Sequence, residues 1–525
     1  LHDHWLQGVP SFAPELRFND ERLASILKRI GLPVSTPASD SEPVFAATSA
    51  DHTEAATSVL GGQDPSIAVM PFADMSPERD QEYFCDGVAE EIINELTGID
   101  GLRVIARTSA FSFKGKSEDI RKIGSELGVG SVLEGSVRKA GDRVRITAQL
   151  IDVSDGSHIW SEKYDRVLED VFAIQDEIAA AIADKLRVEL GKHDVAAGPK
   201  RVDPEAHDLY LRGRHLLRRG LFTILEDETR VNKAIEFFER SAEIDPTYAA
   251  PHAGLSDVYN ALCRWIKPEG NCERAKKEAA LALELDDESV ESHVAMGRVA
   301  LAVDLDWEKA ETEVLRALEL GPGSALAHHG AVLFYTWSAD FDRALAHADS
   351  LLDLNPLDYD SHLVAAFATT VSRRDYAKCV EMAEAALELF PGDEYFEGIR
   401  RWAKVVMGID ADAAAEEYAK EWPTVPGSGV LLAMVGRVEE ARRVIEAQEA
   451  REHEGTRYAM ARIHAALGEK DRALDLLELT WEEEPRIFLQ LNSDPELDCL
   501  RGEQRFKDLI ERSGVPMGDL AYLSE

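Results

Sequence analysis

The apolar positions of this chain follow two rhythms. From about residue 203 to 490 they recur at i, i+3, i+4 and i+7, the spacing of one buried helix face, and the helical unit itself repeats. Aligned on the residue after each second helix, the unit passes through Pro246, Asp287, Pro322, Pro356 and Pro391, at intervals of 41, 35, 34 and 35. Such a period marks an array of stacked helix pairs. Twelve residues before these markers stand Ala234, Ala275, Ala310, Ala344 and Cys379, and five before them Ser241, Ala282, Ala317, Leu351 and Ala386. Small side chains there predict closely crossing helices. The long first interval reads as an insertion around Cys263 to Asn271, turning at Pro268-Glu269-Gly270. Beyond Pro391 the repeat degrades, then returns over 460–485 with Gly468, Ala473 and Pro485. Seven or eight helix pairs are expected, closed by a polar capping helix and tail over 491–525.

Over 65–195 strand and helix signals alternate. Residues 66–72 read as a buried strand, and Asp86 as the N-cap of a helix running to Leu96. Leu102 to Ile105 and Ser131 to Arg138 are further strands, the latter ending in a turn at Ala140-Gly141-Asp142. Val144, Ile146, Ala148 and Leu150 alternate with polar residues, as a half-buried antiparallel strand does. A short strand follows at Ile159 and Trp160, then a helix over about 167–190. The order βαβαβββα predicts a mixed sheet with helices packed on it. Residues 1–34 hold one short helical pattern ended by Gly31 and Pro33, and 35–64 read as a polar linker. Residues 21–33 echo 504–516 in register. That fits either two generic helices or the tail of a module upstream of Leu1.

Composition narrows the function. Lys and Arg number 58 against 98 Asp and Glu, a net charge of −40. This argues against a nucleic-acid partner, whose phosphates need cations, and against an anionic membrane surface. No apolar run is long enough to span a bilayer. Five scattered cysteines without a CxxC pair predict a reducing compartment, a cytoplasmic location and no disulfide framework. Phosphate-binding loops, dinucleotide fingerprints, zinc-protease and kinase motifs are missing. No catalytic residue, cofactor or metal is therefore expected.

Several segments resemble known families. Residues 65–96 (PSIAVMPFADMSPERDQEYFCDGVAEEIINEL), 102–116 (LRVIARTSAFSFKGK), 129–166 (VGSVLEGSVRKAGDRVRITAQLIDVSDGSHIWSEKYDR) and 171–179 (VFAIQDEIA) resemble the TolB-like amino-terminal domain family. The five versions of KAIEFFERSAEIDPTYA resemble tetratricopeptide (TPR) repeats. The resemblance implies an α/β mixed-sheet domain over 65–195 joined to an all-α TPR superhelical solenoid over 203–490. It also implies that an upstream partner would be a class III nucleotide cyclase, a winged-helix domain or a kinase.

The expected role is a non-catalytic scaffold in bacterial signalling. Its TPR groove would hold a protein or peptide partner, basic if the acidic face is used. One alternative is the accessory C-terminal region of a class III adenylate or guanylate cyclase. Another is the effector region of a winged-helix regulator. No oligomeric state is implied. Groove candidates are Asp257, Arg298, His329, Asp360 and Phe367. Arg107, Lys114 and Arg138 are candidates for an anion pocket, or else ordinary ion-pair partners. His252, His293, His328 and His362 hold one repeat position, as a packing residue or a pH-sensing one.

Overall fold

The computed structural model describes residues 65–516, apart from 78–80, 100, 117, 141–142, 168–170, 187–201, 218–227, 266–269, 372–374, 451–455 and 484. The segment and linker expected over 1–64, the turn at Gly141-Asp142 and the tail beyond 516 lie outside the described residues. The chain divides into two compact units, the sheet-bearing region up to Gly198 and the helical region from Pro199.

In the sheet unit, β1 (Ser66–Val69) lies between β3 (Arg103–Val104) and β4 (Ser131–Ala140), parallel to both. Strand β2 (Ala73–Asp74) continues along β4, also in parallel. Strands β5 (Arg143–Asp152) and β6 (His158–Val167) extend the sheet antiparallel, giving the order β3-β1-β4-β5-β6. The predicted alternation is complete: Val144, Ile146, Ala148 and Leu150 are all fully buried. Gly135 on β4 has no room for a side chain, because a Cβ would stand 2.6 Å from the Phe72 ring and 2.7 Å from the Thr147 carbonyl oxygen. Helix α1 (Glu82–Thr97) buries Val88, Ala89, Ile92, Ile93 and Leu96. After the short helices α2 (Arg107–Phe111) and α3 (Ile120–Glu126), helix α4 (Val171–Leu186) returns to α1 and the sheet. It buries Ile174, Ile178, Ile182 and Leu186, every fourth residue.

Two local expectations are corrected. Helix α1 starts at Glu82, so Asp86 is not its N-cap but an interior residue buried against Lys114. The strand expected around Ile159 and Trp160 runs for ten residues, because its polar half still completes the ladder with β5.

The helical unit is a TPR-like solenoid, with eight helix pairs among the described residues. They are α5 (Pro204–Leu216) and α6 (Glu228–Ile244), α7 (Ala249–Trp265) and α8 (Asn271–Leu285), α9 (Val290–Val299) and α10 (Trp307–Leu320), and α11 (Ala325–Trp337) and α12 (Phe341–Leu354). Then come α13 (Tyr359–Val371) and α14 (Tyr376–Leu389), α15 (Glu394–Val406) and α16 (Ala411–Glu421), α17 (Pro426–Met434) and α18 (Val438–Glu449), and α19 (Thr456–Ala466) and α20 (Lys470–Glu483). The second helices of the five regular pairs end two residues before the sequence markers. Ala234, Ala275, Ala310, Ala344 and Cys379 are completely enclosed, as their small size at the crossing requires. First helices of neighbouring pairs also pack on one another, so α7, α9, α11 and α13 form a continuous layer.

The repeated histidine position is a packing position with a hydrogen bond. His293, His328 and His362 each pair Nε2 with the carbonyl oxygen six residues back, of Asp287, Pro322 and Pro356, at 2.8–3.0 Å. The ring ties each first helix to the turn that precedes it.

Cys263 and Cys272 form a disulfide between the end of α7 and the start of α8, with Cα atoms 5.0 Å apart. This overturns the expectation of a chain without disulfides and, with it, the inference of a reducing compartment drawn from cysteine spacing. The helix pair folds back across the insertion and brings together two residues that sequence spacing alone leaves unrelated.

The end of the array returns to its middle. After α20 a 3-10 segment (Pro485–Gln490) reaches the π-turn Ala300–Asp304 that extends α9. Leu489 sits there in one cluster with Ala300, Leu301, Phe334, Tyr335 and Trp337. A second 3-10 segment (Pro495–Leu500) places Glu496 to accept from Trp402 Nε1 at 3.0 Å and to pair with Arg462. Helix α21 (Gln504–Ser513) then buries Phe506, Leu509 and Ile510.

Truncating a buried leucine costs about 2–5 kcal/mol when its neighbours cannot collapse. Leu489→Ala is therefore expected to lower the urea stability of the chain by about that amount, although residue 489 lies outside every regular helix. An unchanged unfolding midpoint would show that the return contact contributes nothing.

Candidate functional site

The first-helix layer carries the candidate site. Asp257 lies on α7, Arg298 on α9, His329 on α11, and Asp360 and Phe367 on α13, so the expected residues occupy four successive first helices. Arg298 Nη1 donates to Asp257 Oδ1 at 2.8 Å, tying α7 to α9. Both side chains are half-buried, and each neutralises the other.

His329 differs from the repeated histidines one position before it. Its residue is half-buried, yet Nδ1 is sealed from solvent without a hydrogen-bond partner. Burial, reinforced by the charge of Arg298, pushes its pKa down to about 3, so the ring is neutral at physiological pH. A buried N–H without an acceptor is costlier than an under-used lone pair. The favoured tautomer therefore carries its proton on Nε2.

Asp360 is the unbalanced member. Among the described residues no cation contacts it and no hydrogen bond reaches its carboxylate. Burial, helped by the neighbouring Asp358 and opposed by Arg298, raises its pKa to about 7. Asp358 is itself occupied, accepting from the Ser361 backbone N–H at 2.8 Å and the Ser361 hydroxyl at 2.7 Å. Phe367 stands seven residues after Asp360 on the same helix face, half-buried against the clusters around Phe334 and Phe341. Two further orphan atoms were not foreseen: Asn260 Oδ1 on α7, one turn after Asp257, and Trp307 Nε1 at the start of α10. Only the i+3 spacing of Asn260 from Asp257 hinted at the first.

The sheet unit treats its cations differently. Glu82, Asp86 and Glu90 lie four residues apart along α1, on one face. Lys114 Nζ meets Asp86 at 2.5 Å and Glu82 at 2.7 Å, and Arg107 Nε meets Glu90 at 3.2 Å. The Arg107 guanidinium also lies 4.7 Å from the Phe111 ring centre. Arg138 Nε donates to the Met75 carbonyl oxygen at 3.0 Å. Each of the three meets a different partner, and two are stapled to α1. Next to Asp86, burial pushes the Cys85 thiol up to about 12, leaving it unreactive at neutral pH.

Asp360 gives the array a pH dependence of known sign. Its folded pKa lies above the unfolded value of 3.8, so its contribution to stability is complete below that value and is lost as pH rises through about 7. Asp360→Asn removes the loss. The variant is expected to melt above the wild type at pH 8, with the difference closing toward pH 4. A difference independent of pH would disprove the assignment.

Residues 63–181 match the model of a family described as HilA/YgeH-like transcriptional regulator, second domain. Over 256 residues the chain is 43% identical to "Putative adenylate cyclase 3" of Rhizobium meliloti (strain 1021). That match covers 48% of this chain and 42% of the relative, so the chain spans less than half of the relative's length. Among solved structures, a tetratricopeptide repeat protein from Parabacteroides merdae is similar at 17% identity and TM-score 0.33, over 51% of this chain and 98% of that one. The PelC dodecamer from Paraburkholderia phytofirmans is similar at 21% identity and TM-score 0.17, over 24% of this chain and 88% of that one.

Proposed function

We propose that this chain is a non-catalytic scaffold of bacterial signalling, holding a protein segment along the first-helix face of its repeat array. Asp360 carries this reading. Asp360 is partly exposed, no cation contacts it among the described residues, and burial together with Asp358 raises its pKa to about 7, so its charged form is unfavourable at neutral pH. Local losses of this kind concentrate where a protein meets a ligand. Phe367 supplies apolar surface two turns along the same helix, and the Arg298–Asp257 pair supplies polar surface on the neighbouring side.

A second reading places the same scaffold within a larger protein. The relative named as an adenylate cyclase supports the chain being the C-terminal accessory region of a class III adenylate or guanylate cyclase. The family match over 63–181 gives some support to the effector region of a winged-helix transcription regulator. In either setting the TolB-like reading of 65–195 makes that unit a docking, sensing or dimerising module beside the repeats. The division at 1–34, 35–64, 65–195, 203–490 and 491–525 belongs to the same proposal; the cytoplasmic location, expected from unpaired cysteines, has the Cys263–Cys272 disulfide against it. Among the described residues no helix is long and apolar enough to cross a membrane.

A photo-crosslinking phenylalanine analogue at Phe367 is expected to capture a protein in the native host. The same analogue at Leu315, exposed on the second helix α10, is expected to capture none. Equal adducts at both positions, or none at 367, would refute the scaffold. Reading the gene upstream of the Leu1 codon tests the second proposal: a cyclase catalytic domain is expected, and a winged helix would favour the regulator instead.

A further inference from the structure

The antiparallel half of the sheet is apolar on one face and basic on the other. Val144, Ile146, Ala148 and Leu150 turn inward with α4, and the residues between them turn outward. The register arranges the outward residues of β4, β5 and β6 in rows. Arg138, Arg145 and Asp165 stand opposite one another. The row on one side holds Ser136, Thr147 and Lys163, and the row on the other Ala140, Arg143 and Val167. Among the described residues these rows set four cations, all exposed, against the single acid Asp165. Asp165 is shared, accepting from Arg143 Nη2 and from Arg145 Nη2 at 2.6 Å each. Arg138 donates its Nε to the Met75 carbonyl oxygen at 3.0 Å and meets no acid, and Lys163 makes no ion pair, among the described residues. Like charges directly opposite, as Arg138 and Arg145 are, weaken a ladder. Two apolar side chains flank the patch: Met75 beside Arg138 is 54% exposed, and Val167 opposite Arg143 is 43% exposed.

From this arrangement we infer that the outer face of β4, β5 and β6 is a docking surface for an acidic peptide segment, whose carboxylates meet Arg138, Arg145 and Lys163 and whose apolar side chains lie against Met75 and Val167. The surface belongs to the sheet unit and does not depend on the groove proposed for the repeats. In a chain of net charge −40, a face with a surplus of cations is a local inversion of sign, and charge complementarity names its partner. A bound carboxylate relieves the opposition of Arg138 and Arg145. Asp165 holds two guanidinium groups in place yet leaves further N–H donors on both, so part of the ordering cost of binding is already met. Other anions fit less well. Single-stranded nucleic acid is held where bases stack on exposed rings, and the rings of β6, Trp160 and Tyr164, are buried on the opposite face. A long polyanion or an anionic bilayer also meets the repulsion of the whole molecule. A short segment responds to the patch, because salt screens charges beyond about 8 Å.

The test is calorimetric titration of the full chain with a blocked heptapeptide in which three glutamates alternate with glycines between terminal leucines. The matching lysine peptide and a decathymidylate strand are titrated alongside. The glutamate peptide is expected to bind, and the lysine peptide not to. Reversing two contacting charges, Arg138→Glu with Lys163→Glu, should weaken binding by about 10-fold or more. Arg240→Glu with Lys378→Glu, the same change of net charge on α6 and α14, should alter it by less than about twofold. Met75→Ser should weaken it by about threefold. Thermal melts check that the variants are folded, and Lys163→Glu alone, at a side chain without an ion pair, keeps the test open if the double variant is not. The inference is overturned if the wild type does not bind the glutamate peptide, if both double variants weaken it equally, or if the lysine peptide binds as well. Unchanged affinity in Met75→Ser would overturn the apolar contact. Decathymidylate binding as tightly as the peptide would assign the face to polyanions at large and overturn the peptide reading.

Discussion

Every helix pair in the array depends on how closely its two helices can approach. A pair has one apolar face too many to bury by itself, so it is stable only against neighbours. The approach is set by the alanines at one position of the second helix, with Cys379 in the fifth pair, all without accessible surface. A larger side chain there would push the pair apart, and the displacement would pass to the next pair. The stacked first helices, and so the line from Asp257 to Asp360, inherit their spacing from these residues.

The regular parts of the fold were legible because they obey local rules. Alternation marked β5, the period marked the helix pairs, and the proline markers fell just past the helix ends. Asp86 misled because an acid early in a helix reads as a cap. Its true role required knowing that Lys114, 28 residues later, would lie beside it. The Cys263–Cys272 bridge was hidden for a related reason, since the pairing follows from the fold of a helix pair. That the candidate residues lie on first helices followed from the period alone. Which acid had a partner and which did not could not be read there, because counter-ions come from neighbouring repeats.

The two units manage charge in contrasting ways. On α1 three acids in a row are matched by two cations, which fixes a loop to a helix. In the repeat layer Asp257 is matched by Arg298, and Asp360 meets no cation among the described residues. The first pattern is what a structural ion-pair network looks like. The second leaves an acid whose pKa burial and Asp358 raise to about 7.

Most solenoids tolerate the gain or loss of a unit, because each unit touches only the next. The seat of Leu489 removes that freedom. Its contact with the π-turn of α9 spans the interval from the third helix pair to the end of the eighth. Inserting or deleting one pair in between would shift the end of the array by about the 10 Å that separates packed helices, and Leu489 would miss its seat. Unequal recombination, the ordinary way in which repeat genes lengthen and shorten, would here yield mostly damaged products. Lineages carrying this contact should therefore keep a constant number of repeats between α9 and Leu489 while the sequences of those repeats drift.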